Sequence, residues 1–290
     1  MGLSSRDFAA SPEAKFGARQ DAERALRAIV EYQLFVDIQR GWRVTMPNLE
    51  QTGLLVIGYR DLRDVAADGE SWAGRLFLEH LDPDLRFEVS RILLDELRRV
   101  RAIDVDCLTQ DGFDRLRSLS RQQLREPWSM SEDERIVDVG LASPRPARPG
   151  GPRSTLALTG RGTFGRYVKK ALTPRGGHPL TTADATGVIE DLLEVLTSSG
   201  LLTRIDGKDG PDSRRRAGAL RWMPGDGENG APDPLRRTFQ GESTARDNPF
   251  FRDLYVDLAA ATPDCTPVST PRRCRSSCAW IGSSGSATAS

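Results

Sequence analysis

Histidine is almost missing from this chain, with His80 and His178 its two examples in 290 residues. They lie in unrelated contexts, and no Gly-x-Ser-x-Gly elbow accompanies them. A histidine-assisted nucleophile of the hydrolase type is therefore not expected. Cysteine is scarce too: Cys107, Cys265, Cys274 and Cys278. The last three follow a C-x8-C-x3-C spacing with no histidine nearby. Zinc sites take four ligands in paired short spacings, so no metal ligand is expected and the three thiols read as unpaired. No apolar run approaches the ~20 residues of a membrane span. Residues 1–10 lack the apolar core of a signal peptide. The expectation is a cytoplasmic protein without a membrane partner. Excess charge is absent as well, since 41 Lys+Arg balance 41 Asp+Glu. Nucleic acid could then be attracted only by a local basic face. Hydrophobic residues make up 38% of the chain, a low share that suits small cores joined by linkers.

A phosphate cradle is also lacking. No G-x-x-x-x-G-K-[ST] string occurs, and Gly207-Lys208 has neither the upstream glycine nor the following hydroxyl. Ile92-Leu93-Leu94-Asp95-Glu96 imitates the acidic end of a nucleotide-binding strand. However, Val89, Leu93, Leu97 and Val100 continue at helical spacing, with Arg91, Asp95 and Arg98 on the other side, which predicts a solvated amphipathic helix. Gly160-Arg-Gly162-Thr-Phe-Gly165 matches G-x-G-x-x-G after strand-like residues 156–158. A dinucleotide fold needs a second apolar strand ending in an acid about 20 residues later. His178-Pro179-Leu180-Thr181-Thr182 stands there instead, so a turn leading into a helix is expected. No catalytic residue can be named.

What is present is a mainly α protein with small β elements. Residues 1–19 read as disordered and 20–135 as a helical accessory subdomain. Within it, residues 21–41 carry Ala22, Ala25, Leu26, Ile29, Val30 and Val36 near one face. The run Leu54-Leu55-Val56-Ile57 suits a strand or an irregular packed segment. Asp82-Pro83 opens a helix through residue 101, with proline in its first turn. Another helix covers residues 111–124. A Pro/Gly-rich linker spans 136–160, with four prolines inside residues 143–152. A second linker spans 224–247, and residues 248–262 form a short helix with Phe251, Leu254, Tyr255 and Leu258 on a stripe.

Between the linkers, residues 161–223 suggest a winged-helix-like unit. Residues 163–172 form one helix. Thr182 or Asp184 caps a second, whose stripe is Ile189, Leu192, Leu193 and Leu196. Gly200 suits the left-handed position that ends it. A strand at 201–205, a flexible loop at 206–218 and a returning strand at 219–223 complete the layout. Arg204, Lys208, Arg214, Arg215 and Arg216 on the wing, with Arg166, Lys169 and Lys170 nearby, could neutralise the phosphates of DNA or RNA. Protein contact is the other use of such a unit, and no residue can be assigned base readout.

The most distinctive strings are Trp42-Arg-Val-Thr-Met-Pro-Asn-Leu-Glu-Gln-Thr-Gly-Leu-Leu-Val-Ile-Gly-Tyr59, Ile92-Leu-Leu-Asp-Glu-Leu-Arg-Arg99, Ile103-Asp-Val-Asp-Cys-Leu108 and Asn248-Pro-Phe-Phe-Arg-Asp-Leu-Tyr255. Together they resemble large bacterial, notably actinobacterial, DEAD/DEAH-box helicases over residues 20–262. The resemblance implies an internal segment of an ATP-dependent helicase, with the remaining helicase segments as partners. ATP and magnesium would be cofactors of the parent family, and none is expected in this chain. The Walker A lysine and DEAD/DEAH acids would lie before Met1, and the arginine finger after Ser290. Phosphoryl transfer needs cradle, metal-holding acid and stabilising cation together, so the chain alone is expected to be inactive. The alternative is a free-standing winged-helix DNA-binding or protein-interaction module.

The resemblance also bears on residues 263–290, which contain no Leu, Lys or Glu. They read as a disordered tail, or as translation in the wrong frame. Codons can be chosen for residues 264–290 that, read two nucleotides on, yield a charged sequence containing Arg-Glu-His-Thr-Ala-Gln-Val. That sequence resembles the family's continuation, so an out-of-frame, truncated C-terminus is expected. Sequencing the locus tests this: the absence of a helicase-like frame downstream would refute it.

Overall fold

A computed structural model describes residues 9–10, 16–38, 48–146, 155–173, 178–207, 210–228, 234–235 and 249–261. Of the residues expected as disordered, 1–8, 11–15 and the tail 263–290 lie outside the described residues, as do residues 147–154 of the first linker and most of the second. The rest of the first linker is described, and its residues 141–143 and 155–157 pair as strands rather than standing as a linker. The structure begins with α1 (Phe16–Asp37), four residues before the helical subdomain was expected. Its buried stripe is Ala22, Ala25, Tyr32, Phe35 and, just beyond the helix, Ile38. Val30, expected on that stripe, is exposed. The aromatic rings of Tyr32 and Phe35 set the packed face, because they bury more apolar area than a valine. Ala9 bridges to Leu124 and packs with Ala22 and Ala25.

Strand β1 (Leu55–Tyr59) is followed by the short helix α2 (Leu62–Ala67) and a 3-10 turn at Glu70–Trp72. Trp72 is fully buried, and its indole N–H donates to the Val65 carbonyl at 2.7 Å. That bond meets the one polar demand of a buried tryptophan. Helix α3 (Pro83–Arg99) starts as expected. The Asp82 carboxylate accepts from the Asp84 N–H at 2.8 Å, with Pro83 at the first helical position. Val89, Ile92, Leu93, Leu94 and Leu97 lie in the core. Strand β2 (Ile103–Asp104), a 3-10 turn at Asp106–Leu108, helix α4 (Gln110–Gln123) and strand β3 (Leu141–Ser143) follow.

The second half holds β4 (Thr155–Ala157), α5 (Thr163–Leu172), α6 (Thr182–Ser198), β5 (Leu202–Gly207), β6 (Gly210–Arg216), β7 (Leu220–Pro224) and α7 (Pro249–Ala261). A capping box opens α6. The Thr181 hydroxyl accepts from the Asp184 N–H, and the Asp184 carboxylate accepts from the Thr181 N–H. The cap is thus Thr181 rather than Thr182 or Asp184, because the side chain must reach a backbone N–H three residues on. Gly200 ends the helix with φ 78°, as its position suggested.

The wing differs from expectation. The returning strand is β6, within the stretch expected as a loop, and it pairs with β5 from Leu202↔Arg215 to Gly207↔Gly210. Residues 210–216 are poor in strand formers. Ladder pairing on both edges overrides that preference, since β6 also meets β3 at Ala142↔Ser213 and β2 at Ile103↔Arg215. Residues 220–224, expected to return to β5, instead pair antiparallel with β1, from Tyr59↔Leu220 to Leu55↔Pro224. The inward side chains decide this. Leu220 and Trp222 face Tyr59 and Ile57 across the ribbon, and Trp222 meets Phe35 edge-on at 6.4 Å.

These pairings join the span 20–135 to the span 161–223. Leu93, Leu97 and Ile103 share one hydrophobic core with Val168, Ile189, Leu196 and Leu202. Mainly α architecture with small sheets is observed. Two antiparallel strands after two helices remain from the winged-helix layout, but the third strand leaves the hairpin.

Candidate nucleic-acid interface

Register places the wing arginines on two sides of the sheet. Leu202 and Ser213 are buried, as is Ala142 opposite Ser213, so these residues mark the core-facing side. Directly paired residues point the same way, so Arg204, opposite Ser213, belongs to the inner side. It is exposed there and helps hold the Glu194 carboxyl below its usual value, behind the larger effect of Arg75. Arg214 lies opposite Thr203 on the outer side. Its Nε donates to the Gly140 carbonyl at 3.3 Å. Arg216 is exposed on the same side, with Nε donating to Thr203 Oγ1 at 3.3 Å.

Arg145 joins this outer face and was absent from the sequence candidates. Its Nη2 meets Asp212 Oδ1 at 2.6 Å, and the carboxylate is 15% exposed. Asp212 pairs with Ile205, on the side of Thr203 and Arg214. Proline-rich surroundings hid Arg145, because only pairing between β3 and β6 brings it to the hairpin. Arg215 has the buried residues Ile103 and Leu202 as register partners, and its side chain lies outside the described residues. Lys208 also lies outside them.

On α5, Arg166 and Lys170 are exposed, while Phe164, Val168 and Leu172 are buried. Lys169 is half-buried, and its Nζ donates to Thr182 Oγ1 at 3.5 Å. It joins α5 to the start of α6. Arg166 reaches back to Thr163 Oγ1 at 3.4 Å. Tyr167 is half-buried beside α3. Burial, and then Glu88, push its hydroxyl up to about 12, although Arg91 pulls the other way. It stays a neutral packing residue at physiological pH.

Helix α6 carries no lysine or arginine, while Glu190 and Glu194 are exposed along it and Asp184 is half-buried at its start. Arg75 reaches α6 from outside, meeting Asp191 at 3.1 Å and Glu194 at 2.9 Å. An acidic helix repels phosphates, so the cations of the hairpin's outer face and α5 are the groups suited to a strand.

The nucleotide-like strings resolve into packing. A Cβ on Gly160 would stand 2.0 Å from the Thr182 carbonyl oxygen, and one on Gly165 would stand 2.3 Å from that of Thr159. Both glycines permit close approach of backbone. Asp95 accepts from the Tyr59 hydroxyl at 2.6 Å, from Arg91 at 3.1 Å and from Arg98 at 3.1 Å. Arg98, 3% exposed, also forks onto Glu50 with two contacts of 2.6 Å. Burial alone would pull this guanidinium's pKa down, but the surrounding Tyr59, Glu50 and Asp95 oxygens hold it well above its usual value. The network fastens residues 50 and 59 to α3. Cys107 is half-buried, and burial with Glu31 pushes its thiol up to about 12, away from nucleophilic use. Among the described residues, no group of three or more His, Cys, Asp or Glu side chains gathers as a metal site. No helix there is long and apolar enough to cross a membrane.

No protein-family model, no curated protein and no solved structure matches this chain.

Proposed function

We propose that the chain is a nucleic-acid-contacting accessory segment of an ATP-dependent DEAD/DEAH-box helicase, without ATPase activity of its own. The helicase origin rests on the resemblance carried by residues 42–59, 92–99, 103–108 and 248–255. The contact surface rests on one observation: Arg145, Arg214 and Arg216 share the outer side of the hairpin sheet, where Asp212 pairs with Arg145. Guanidinium groups in such a row release counterions when they meet phosphates, and this favours backbone contact over base readout. In the intact enzyme the segment would hold a strand while the motor lobes move it.

Binding of fluorescent single- and double-stranded oligonucleotides across a salt series tests the surface. Replacing Arg214 and Arg216 with alanine should weaken binding and lower the salt slope by about one for each lost phosphate contact. Unchanged affinity and slope in the double variant would overturn the assignment. The purified chain should show no nucleic-acid-stimulated ATP hydrolysis. Turnover that survives further purification and disappears on mutation of this chain would refute that part.

The acidic face of α6 favours a second reading, a free-standing winged-helix-like module that docks a basic protein surface. Charge reversal at Glu190 and Glu194 would then abolish partner binding while oligonucleotide binding persists.

A further inference from the structure

The outer side of the β1–β7 ribbon forms the floor of a cleft of about 280 Å³, walled by the start of α2 and by α3. Three guanidinium groups from three elements line it: Arg63 of α2, Arg91 of α3 and Arg221 of β7. Arg221 is exposed and has no acid partner among the described residues. Arg63 meets Asp84 at 3.4 Å, between side chains 72% and 88% exposed. Such a pair holds an arginine only weakly. Arg91 is the anchored one, with Nη1 on Asp95 at 3.1 Å.

The cleft also has a flat wall. The Arg63 guanidinium lies over the Phe87 ring, 4.3 Å from its centroid. A stacked guanidinium presents a planar, weakly hydrated surface on which a further ring can lie. The floor is kept low by Gly58, where a Cβ would stand 3.0 Å from Met223 Cε. Two exposed carboxylates, Asp61 and Asp64, sit on the α2 side. They disfavour an anion beside α2 and leave the Arg91–Arg221 side as the place for negative charge. As acceptors they suit hydroxyl groups.

We propose that this cleft binds a nucleotide, with its base on the Arg63–Phe87 stack, its phosphate on Arg91 and Arg221, and its sugar hydroxyls toward Asp61 and Asp64. The site is separate from the hairpin face and does not depend on that reading. A small polar rim around an apolar wall is the usual build of a small-molecule site. A free mononucleotide and the terminal nucleotide of a strand offer the same chemistry.

The test is calorimetric titration of the full chain with adenosine 5′-monophosphate, with adenosine, and with a 5′-phosphorylated oligoadenylate. Saturable binding of the monophosphate is expected. Arg221→Ala and Arg63→Ala should each weaken it by about ten-fold, the loss of one charged or stacked contact. Both residues are exposed, so each variant should keep the wild-type melting temperature. Adenosine should bind the wild type as weakly as the monophosphate binds Arg221→Ala. Oligoadenylate binding that is tighter than the monophosphate and lost in Arg221→Ala assigns the cleft to a strand end. Monophosphate binding without oligoadenylate binding assigns it to a free nucleotide. No saturation at millimolar monophosphate, or full affinity in both folded variants, overturns the proposal. Arg214→Ala/Arg216→Ala serves as the control: oligoadenylate binding that is lost there and kept in Arg221→Ala belongs to the hairpin face, and the monophosphate titration then decides the cleft.

Discussion

The strands β5 and β6 lie next to each other in the chain, whereas β1 and β7 come from residues 55–59 and 220–224. Both are antiparallel pairs, yet different forces hold them. Only two residues separate the paired Gly207 and Gly210, so the entropy cost of closing the hairpin is small. It can therefore carry arginines on its outer side. The ribbon must close a loop of most of the chain before it gains anything, and it does so by burying Tyr59 and Leu220, with Ile57 and Trp222, against α1 and α3. The region with the local fold needs little packing of its own, and the region with the long closure must commit its inward side chains to the core.

Four substitutions sharpen that contrast. Glu50→Ala should do the most damage, because it strips the bidentate partner from a guanidinium that is 3% exposed. A loss of about 3–5 kcal/mol in chemical unfolding is expected. An effect below about 1 kcal/mol would show that the network does not fasten the ribbon to α3. Leu220→Ala removes a buried ribbon side chain and should cost about 2–4 kcal/mol. Thr181→Ala removes the α6 cap and should cost about 1 kcal/mol in the same assay. Arg216→Ala, on the exposed hairpin face, should change stability by less than about 0.5 kcal/mol while altering nucleic-acid affinity. A hairpin variant as destabilising as Leu220→Ala would erase the distinction.

Acid should act on the α6 cap as well. The Thr181 hydroxyl and N–H hold the Asp184 carboxyl below its usual 3.8. A depressed folded-state value stabilises above the unfolded value and is lost as pH falls through the folded one. Glu194, held low by Arg75, follows the same sign. Helical signal from this region should therefore fade below about pH 4, and Thr181→Ala should reduce the pH dependence. Peptide-resolved alkylation offers a last, small check. Cys107, with its thiol pushed up to about 12, should react far more slowly in the native chain than in denaturant.

Much of the helical part was legible in the residues themselves. Asp82-Pro83, the stripe through Leu93 and Leu97, the apolar face of α6 and Gly200 are local signals, and the structure places each as its chemistry suggests. The α1 stripe was legible only in part, because the aromatic rings, not Val30, decide which face is buried. The wing was misread at β6 for a different reason. Residues 210–216 contain Gly, Pro, Asp and three arginines, all ordinary loop signals, and only β5 on one edge with β2 and β3 on the other make them a strand. The same ladder brings Arg145 to the outer face and divides Arg204 from Arg214. The cleft beside β1 was invisible, since Arg63, Arg91 and Arg221 are far apart in sequence.

Periodicity, caps and turn residues are properties of neighbours along the chain, so the sequence by itself determined the longer helices, though not the short α2, and roughly where they start and stop. It also determined that the chain carries no P-loop motif. The partners of β6 and β7, and with them the sides on which arginines stand, depend on contacts such as Ala142↔Ser213, Ile103↔Arg215 and Tyr59↔Leu220 between residues far apart in the chain. Only tertiary structure decided those, because a two-residue side-chain period gives a strand two faces but does not say which edge will be paired or which face will meet the core.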